Sequence, residues 1–583
     1  MALIDESYVF AKLLVGLGQC GFLLVYPAMG LMSVSALMAQ SSPLPPDNRP
    51  EIPLPDEPLP PSLPSPDELL LSPDEPLLPE DGVGEGDAAF YVANIEVIGS
   101  TIFDEEDLAE LLDQYRNRQI SFNDLLQLRS AITQLYVDAG YVTSGALIPP
   151  QTVIDDTVTI QIIEGRLEDI VVKGNRRLDS AYIRSRIGLG AQPPLHVETL
   201  LAALQRLQLN PLIETVSADL QAGVEPGTSL LVVDVVEADS FAVTTGLAND
   251  RSPNIGGTQV ALGVDEGNLL GIGDRITVNY KHTEGSDGVD FSYTLPVSPN
   301  NDTLRISAGY ADSRVINSDF SVLDISSDSV YYELGYHRPL IETTTQAAAL
   351  GLVLSHQSSQ TRLGLDDIGP FPLSPGADEN GRTRISALRF SQEWTQRSRS
   401  HVFALRSQFN LGLDLLNATV NDDGPDSQFF SWRGQGQWVK LLGKADQLFF
   451  LRGDIQIAAD DLLSQEEFSL GGGQSIRGYR QDALRRDSGA MLSAELRWPI
   501  ARVPELDGVL QVTPFIDVGT VWNHNGDNPG PDTLVGTGFG LLWQQSNNFS
   551  ARLDWGIPLV DLETDDGGLQ DSGLHFSVQY TPF

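Results

Sequence analysis

One short stretch of this sequence stands apart as a place for chemistry. Phe468-Ser469-Leu470-Gly471-Gly472-Gly473-Gln474-Ser475-Ile476-Arg477-Gly478-Tyr479 is too rich in glycine for a strand and too specific in its side chains for a linker. A glycine turn leading into Ser475, Ile476, Arg477, Gly478 and Tyr479 can hold one guanidinium at a fixed point. Such a guanidinium, withdrawn from water, seeks a carboxylate, and its planar fork favours bidentate geometry. In Val512-Thr513-Pro514-Phe515-Ile516-Asp517-Val518-Gly519 a strand alternation puts Val512, Ile516 and Val518 on one face. Thr513, Phe515, Asp517 and Gly519 share the other, so Asp517 is placed to receive Arg477. Elsewhere the titratable residues are scattered. The seven histidines (His196, His282, His337, His356, His401, His524 and His575) form no His-Glu-x-x-His pattern, and no Gly-x-Ser-x-Gly elbow occurs. Gly536-Thr537-Gly538-Phe539-Gly540 looks like a nucleotide loop only on paper, because it lies within an alternating strand. The expectation is no catalytic residue, no metal and no cofactor, so not an enzyme.

The elements that position Arg477 and Asp517 read as strands. From Phe241 onward the apolar period is two. Phe549, Ala551, Leu553, Trp555 and Ile557 alternate with Ser550, Arg552, Asp554 and Gly556; Ile276, Val278 and Tyr280 alternate with Thr277, Asn279 and Lys281. No helical pattern intervenes to cover the apolar faces. The segments approach the length that a tilted membrane-spanning strand needs. About sixteen of them run from near Phe241 to near Leu574, and an even number returns both ends to one side. This predicts a 16-stranded antiparallel transmembrane β-barrel over 240–583, with apolar faces on lipid and polar faces on a lumen. The glycine-rich motif then falls in a long loop around 460–489.

Ahead of the barrel, two modules share one order. Phe90–Gly99 reads as a strand, and Asp104 with Asp107 begins a helix in capping-box fashion. A second helix starts near Ser121 and ends at Gly140. Tyr141–Ile148 and Thr157–Glu164 are the closing strands. The same βααββ order repeats from Leu167 to Ala238, with Gly174 in the place of Gly99. The expected units are 89–165 and 166–239. Exposed strand edges can add a strand from another chain. Tyr141, Val142, Ala146 and Ile148 in the first unit, and Ile213, Val216 and Leu220 in the second, mark the candidate edges.

Residues 1–39 read as a signal peptide: Leu13 to Met38 is nearly uncharged, Lys12 precedes it, and small residues stand near Ala36 and Ala39. Residues 40–88 read as a linker. Between Ser41 and Asp81 there are 14 prolines and 10 acidic residues against one basic residue, Arg49. That composition favours extended polyproline segments over a buried core. Over 583 residues, Lys+Arg is 36 and Asp+Glu is 79, a net charge of −43, which argues against nucleic acid as a partner. The single cysteine, Cys20, lies in the signal segment, so a cleaved chain would suit an oxidising compartment.

With these residues in view, the chain resembles a known family. Leu470-Gly471-Gly472 followed by Ser475-Ile476-Arg477-Gly478-Tyr479 looks like the [VI]RG[YF] motif of Omp85-superfamily transporters, and Phe515-Ile516-Asp517 matches their F-x-D strand motif. The βααββ modules resemble polypeptide-transport-associated (POTRA) domains. Two of them before a barrel resemble the two-partner (type V) secretion transporters, the hemolysin secretion/activation (TpsB) family. The resemblance implies a mainly β protein in the outer membrane with its POTRA domains in the periplasm. It implies a pore that binds an unfolded exoprotein through those domains and moves it to the surface without ATP. It implies that Arg477, at the tip of a loop folded into the pore, contacts Asp517 on the wall. The implied partners are a secreted β-helical protein with an N-terminal secretion domain, the barrel assembly machinery, and outer-membrane lipid. An alternative within the same fold is an insertase that assembles other barrels. Family members often carry an N-terminal plug helix, which the proline-rich stretch does not support. Phe583 supplies the family's terminal aromatic, one residue off the alternation.

Overall fold

The computed structural model describes residues 69–71, 89–443, 447–526, 528, 530–546, 548–562 and 568–582. The expected signal peptide with Cys20, most of the linker and Phe583 lie outside these residues.

In the first small unit, local sequence fixes both helices. Asp104 accepts from the backbone N–H groups of Glu106 and Asp107, and the Asp107 side chain accepts in return from Asp104, starting the helix Glu105–Leu112. Ser121 and Asp124 do the same for Phe122–Asp138. Their apolar stripes, including Leu108, Leu128, Ile132 and Tyr136, pack on Ile95, Val158, Ile160 and Ile162 of a three-stranded sheet. Thr157–Ile163 is central there, parallel to Asn94–Ile98 and antiparallel to Gly145–Leu147. Two readings need correction. The strand expected over Phe90–Gly99 breaks at Ala93, and Phe90–Val92 pairs instead with Arg118–Ile120. The strand expected over Tyr141–Ile148 shrinks to Gly145–Leu147. The Tyr141 N–H bonds back to Tyr136 O, and Ser144 N–H to Tyr141 O, so turns consume the first half.

The second unit has the sheet order Leu70–Leu71, Ile213–Ala222, Thr228–Glu237, Arg166–Lys173. Helices Ser180–Gly188 and Val197–Gln208 cover it through Ile183, Ile187, Leu200 and Leu204. The edge strand comes from the linker. Leu70 and Leu71 run parallel to Ala218 and Asp219, and Leu69, fully buried, joins the core with Leu204, Val216 and Leu220. Proline-rich composition thus misjudged this point. Asp67 to Ser72 is free of proline, which leaves Leu70 and Leu71 their backbone N–H groups for pairing, and Leu69 and Leu70 are buried.

Sixteen antiparallel strands, each beside its sequence neighbour, close the barrel when Phe241–Ala248 pairs with Leu574–Tyr580. Every strand expected from alternation is present. Outward residues such as Leu262, Ile306, Ile516 and Leu553 are exposed, as lipid contact requires. Trp394 and Phe403, Trp438 and Phe449, and Phe549 and Tyr580 pack edge to face near the turns at one end, an interfacial aromatic girdle. The second small unit docks at that same end. Asp179 N–H bonds to Gly271 O, and Arg186 Nε donates to Asn301 Oδ1 at 2.9 Å.

Candidate functional site

Strands Gln447–Ala458 and Ser488–Val503 pair directly, yet residues 459–487 separate them. That segment folds against the barrel interior. It carries a short hairpin, Phe468–Leu470 with Leu484–Arg486, so part of the glycine-rich stretch is strand after all. Phe468, Leu470, Ile476, Tyr479 and Leu484 form an apolar cluster with the wall residues Met491, Val521 and Leu534. Gly472 N–H bonds to Tyr479 O at 3.0 Å and Gly471 N–H to Ser475 Oγ at 3.0 Å, which closes the turn around the motif.

Arg477 is 4% exposed and reaches Asp517 as a fork. Nε and Nη2 donate to Oδ2 and Oδ1, both at 2.8 Å, and the Arg477 backbone N–H adds a third bond to Oδ2 at 3.1 Å. The guanidinium lies 3.5 Å from the Phe515 ring centroid, stacked on the residue that shares Asp517's face. The structure extends the pair into a network that sequence reading missed. Nη1 donates to Glu495 Oε2 at 2.6 Å, and Ser493 Oγ donates to Asp517 Oδ1 at 2.6 Å. Arg552 bridges Glu495 and Asp554, at 2.5 and 2.6 Å, and Arg497 meets Glu495 at 3.1 Å. Three guanidiniums (Arg477, Arg497, Arg552) therefore face three carboxylates (Glu495, Asp517, Asp554). The balance matters, because an unpaired charge at this burial would be strongly unfavourable. Alternation did carry a signal for these residues. Ser493, Glu495 and Arg497 share one face of a strand, as do Arg552 and Asp554, and a charge in mid-strand on the polar face needs a partner.

The neighbours of Arg477 lock the same position. Gly478 has φ +100°, a conformation that strains any side chain, and lies against Gly556, where a side chain would collide with the backbone of Arg477 and Gly478. Its N–H points to His575 Nε2 at 3.3 Å. Tyr479 Oη donates to Val535 O at 2.9 Å and accepts from Val560 N–H at 3.0 Å. A Cβ at Gly536 would meet the Arg477 carbonyl. Gly536 thus has a specific reason to be small: it helps seat the loop tip, whereas Gly538 and Gly540 lie against the wall residues Trp555, Phe515, Asp554 and Thr513.

The expected docking edges fare differently. Tyr141 and Val142 lie off the sheet, and the Tyr141 ring packs on His196 at 4.9 Å, at the joint between the small units. Ala146 is buried on an edge strand and Ile148 is half-buried beyond its end. Ile213, Val216 and Leu220 turn their side chains into the core, and Leu70–Leu71 occupies part of that strand's edge. Among the described residues, Asn94–Ile98 and Gly145–Leu147 are the outer strands of the first unit's three-stranded sheet, and Arg166–Lys173 and the short Leu70–Leu71 are those of the second unit's sheet.

Comparison with known proteins adds to this geometry. Residues 227–542 match the family model for haemolysin secretion/activation protein ShlB/FhaC/HecB, and residues 90–165 match the ShlB-type POTRA domain. The outer membrane transporter CdiB of Dickeya dadantii is 23% identical over 466 residues, covering 78% of this chain and 80% of that protein. The heme/hemopexin transporter protein HuxB of Haemophilus influenzae is 22% identical over 413 residues, covering 67% and 69%. The structure of CdiB from Escherichia coli superposes with a TM-score of 0.60 at 21% identity, covering 87% of this chain and 94% of that one.

Proposed function

This chain belongs to the haemolysin secretion/activation protein family ShlB/FhaC/HecB, and from that premise we propose that it exports one large partner protein across the outer membrane. The barrel lies in the outer membrane, with the POTRA domains in the periplasm. An unfolded exoprotein is captured there, threads the lumen and folds outside, and no nucleotide is required. The exoprotein is of the β-helical, two-partner kind with an N-terminal secretion domain. The chain's own insertion uses the barrel assembly machinery. The observation that carries this reading is the inward loop: a wall-to-tip lock built on Arg477 and Asp517 inside a closed 16-stranded barrel. A passive porin has no need of periplasmic POTRA modules.

Client capture uses main-chain pairing at a sheet edge. Gly145–Leu147 is one candidate in the first domain. In the second, a client strand takes Arg166–Lys173 or displaces Leu70–Leu71 from Ile213–Ala222. Arg477 and Asp517 hold the loop in the resting position from which transport starts.

The decisive experiment is deletion of the gene, followed by quantitative proteomics of supernatant, surface and outer membrane. Loss of one or two large exoproteins with other barrels unchanged is the expected result. A broad fall in outer-membrane barrels would instead mark the chain as an insertase.

A further inference from the structure

The inward loop is fastened at a second place, well before its tip. Glu466, 5% exposed, meets Arg389 of the wall strand Arg382–Arg397. Arg389 Nη2 donates to Oε1 at 2.6 Å and Nη1 to Oε2 at 3.0 Å, a bidentate fork, and Nη1 also reaches Asn410 Oδ1 at 3.1 Å on the next strand. Leu388 and Phe390, on either side of Arg389, have register partners Leu354, Leu411 and Phe409 that are exposed on the outer face, so Arg389 faces inward. The adjoining Gln465 donates to Thr383 Oγ1 at 2.8 Å, and Leu462 and Leu463 pack with Ile385, Ala387 and Phe429. None of these wall residues belongs to the tip network. That network sits on Ser488–Val503, Gly508–Trp522 and Phe549–Pro558. Four strands separate Arg382–Arg397 from Gly508–Trp522 around the wall. The inward loop is therefore a strap tied to the wall at two separate places, near its root at Glu466 and at its tip at Arg477.

We propose that Arg389 is a positioning residue for transport: with Glu466 it forms a root clamp, separate from the Arg477–Asp517 tip, and the lumen clears only when both release. This rests on the reading of the chain as a protein-exporting pore. Releasing the tip alone leaves the strap held at Glu466. Releasing the root alone leaves it held at Arg477. Two independent ties keep the strap inside the resting lumen, where it narrows the path, and a passing chain must exchange both. The fork geometry makes Arg389→Lys a poor substitute, because an ammonium cannot match both carboxylate oxygens.

The test uses the full chain in planar bilayers, reading single-channel conductance of Arg389→Ala, Arg389→Lys, Glu466→Gln, Asp517→Ala and the double Arg389→Ala/Asp517→Ala. Each single variant is expected to raise the population of the large-conductance state by about tenfold or more, and the double variant to multiply the two factors. The swap Arg389→Glu/Glu466→Arg is expected to restore resting conductance. Unchanged conductance in Arg389→Ala and Glu466→Gln would overturn the proposal. So would a swap that fails to rescue, or a Glu466→Gln barrel that never folds in the outer membrane, since the pair would then be purely structural. Secretion is scored separately in cells. Conductance that follows the prediction while no exoprotein depends on the wild-type chain would leave the clamp standing and remove the export reading.

Discussion

The second POTRA domain and the barrel lumen are both interiors, and they are built from opposite materials. The domain buries Leu69, Ile183, Leu200, Leu204, Leu231 and Val233, all apolar and all near zero exposure. The lumen buries Arg477, Glu495, Asp517 and Asp554, each under a tenth exposed. The solvent explains the difference. In the periplasm, water drives apolar side chains inward. In a membrane the apolar side chains already have lipid, so the barrel turns them outward and leaves polar groups for its interior. An apolar core tolerates inexact partners, whereas buried charge demands complete pairing. The loop tip is therefore positioned by directional contacts added to its apolar cluster, and the domain by volume.

The sharpest way to break this contrast is to remove one charge from each kind of balance. Asp517→Ala removes the bidentate partner of a buried guanidinium, which keeps only Glu495, and should weaken loop docking by about 3 kcal/mol. Limited proteolysis of intact cells should then cut within 459–487, secretion should fall, and the barrel should still insert. Arg477→Ala should cut secretion in the same way while leaving insertion intact. Replacing both, as Arg477→Met/Asp517→Leu, removes charge and countercharge together. It should restore much of the docking without restoring secretion, if release of the ion pair is part of transport. Protease resistance equal to wild type in Asp517→Ala would show that the apolar cluster alone seats the tip.

The matching cut in the apolar interior is Leu204→Ala. Leu204 is fully buried between helix and sheet, and the loss should be about 2–5 kcal/mol from transfer and cavity terms. The first thermal transition of the full chain should fall, with the barrel transition unmoved. A smaller effect is expected at the loop seat. Gly536→Ala places a methyl against the Arg477 carbonyl, and overpacking of this kind costs about 1–3 kcal/mol. Increased protease sensitivity of the loop with normal insertion is the readout.

The two regions also differ in how far the sequence discloses them. Period-two alternation disclosed all sixteen strands, because each strand meets lipid on one face and the pattern is local. It placed Phe515 and Asp517 on the inner face for the same reason. It could not disclose Glu495 and Asp554, or Arg552 that bridges them, as members of the network around Arg477. They lie on separate strands, and only closure of the barrel brings them together. The Gly536 to Gly540 run was legible as small and lumen-facing, but the role of Gly536 depends on a loop that arrives from another part of the chain. In the periplasmic part, composition misled. A linker judged by its prolines hid a two-residue strand, Leu70–Leu71, whose partner edge lies far along the chain, at Ala218 and Asp219.

The smallest effect tests the contrast from the side of pH. Glu237 ends the last strand of the second POTRA domain, outside the membrane. Burial opposes its ionisation, but the backbone N–H groups of Leu178, Arg176 and Arg177 all donate to it and outweigh burial, so its pKa is held below the usual 4.5. A carboxyl depressed on folding contributes stability that is fully present above its unfolded pKa and is lost as pH falls through the folded one. The first thermal transition should therefore lose stability below about pH 4.5. Glu237→Gln keeps an acceptor but no charge, and its acid slope should be shallower. Identical slopes would mean that these three bonds add nothing to a domain already held by its leucines, and the apolar half of the contrast would be stricter than drawn.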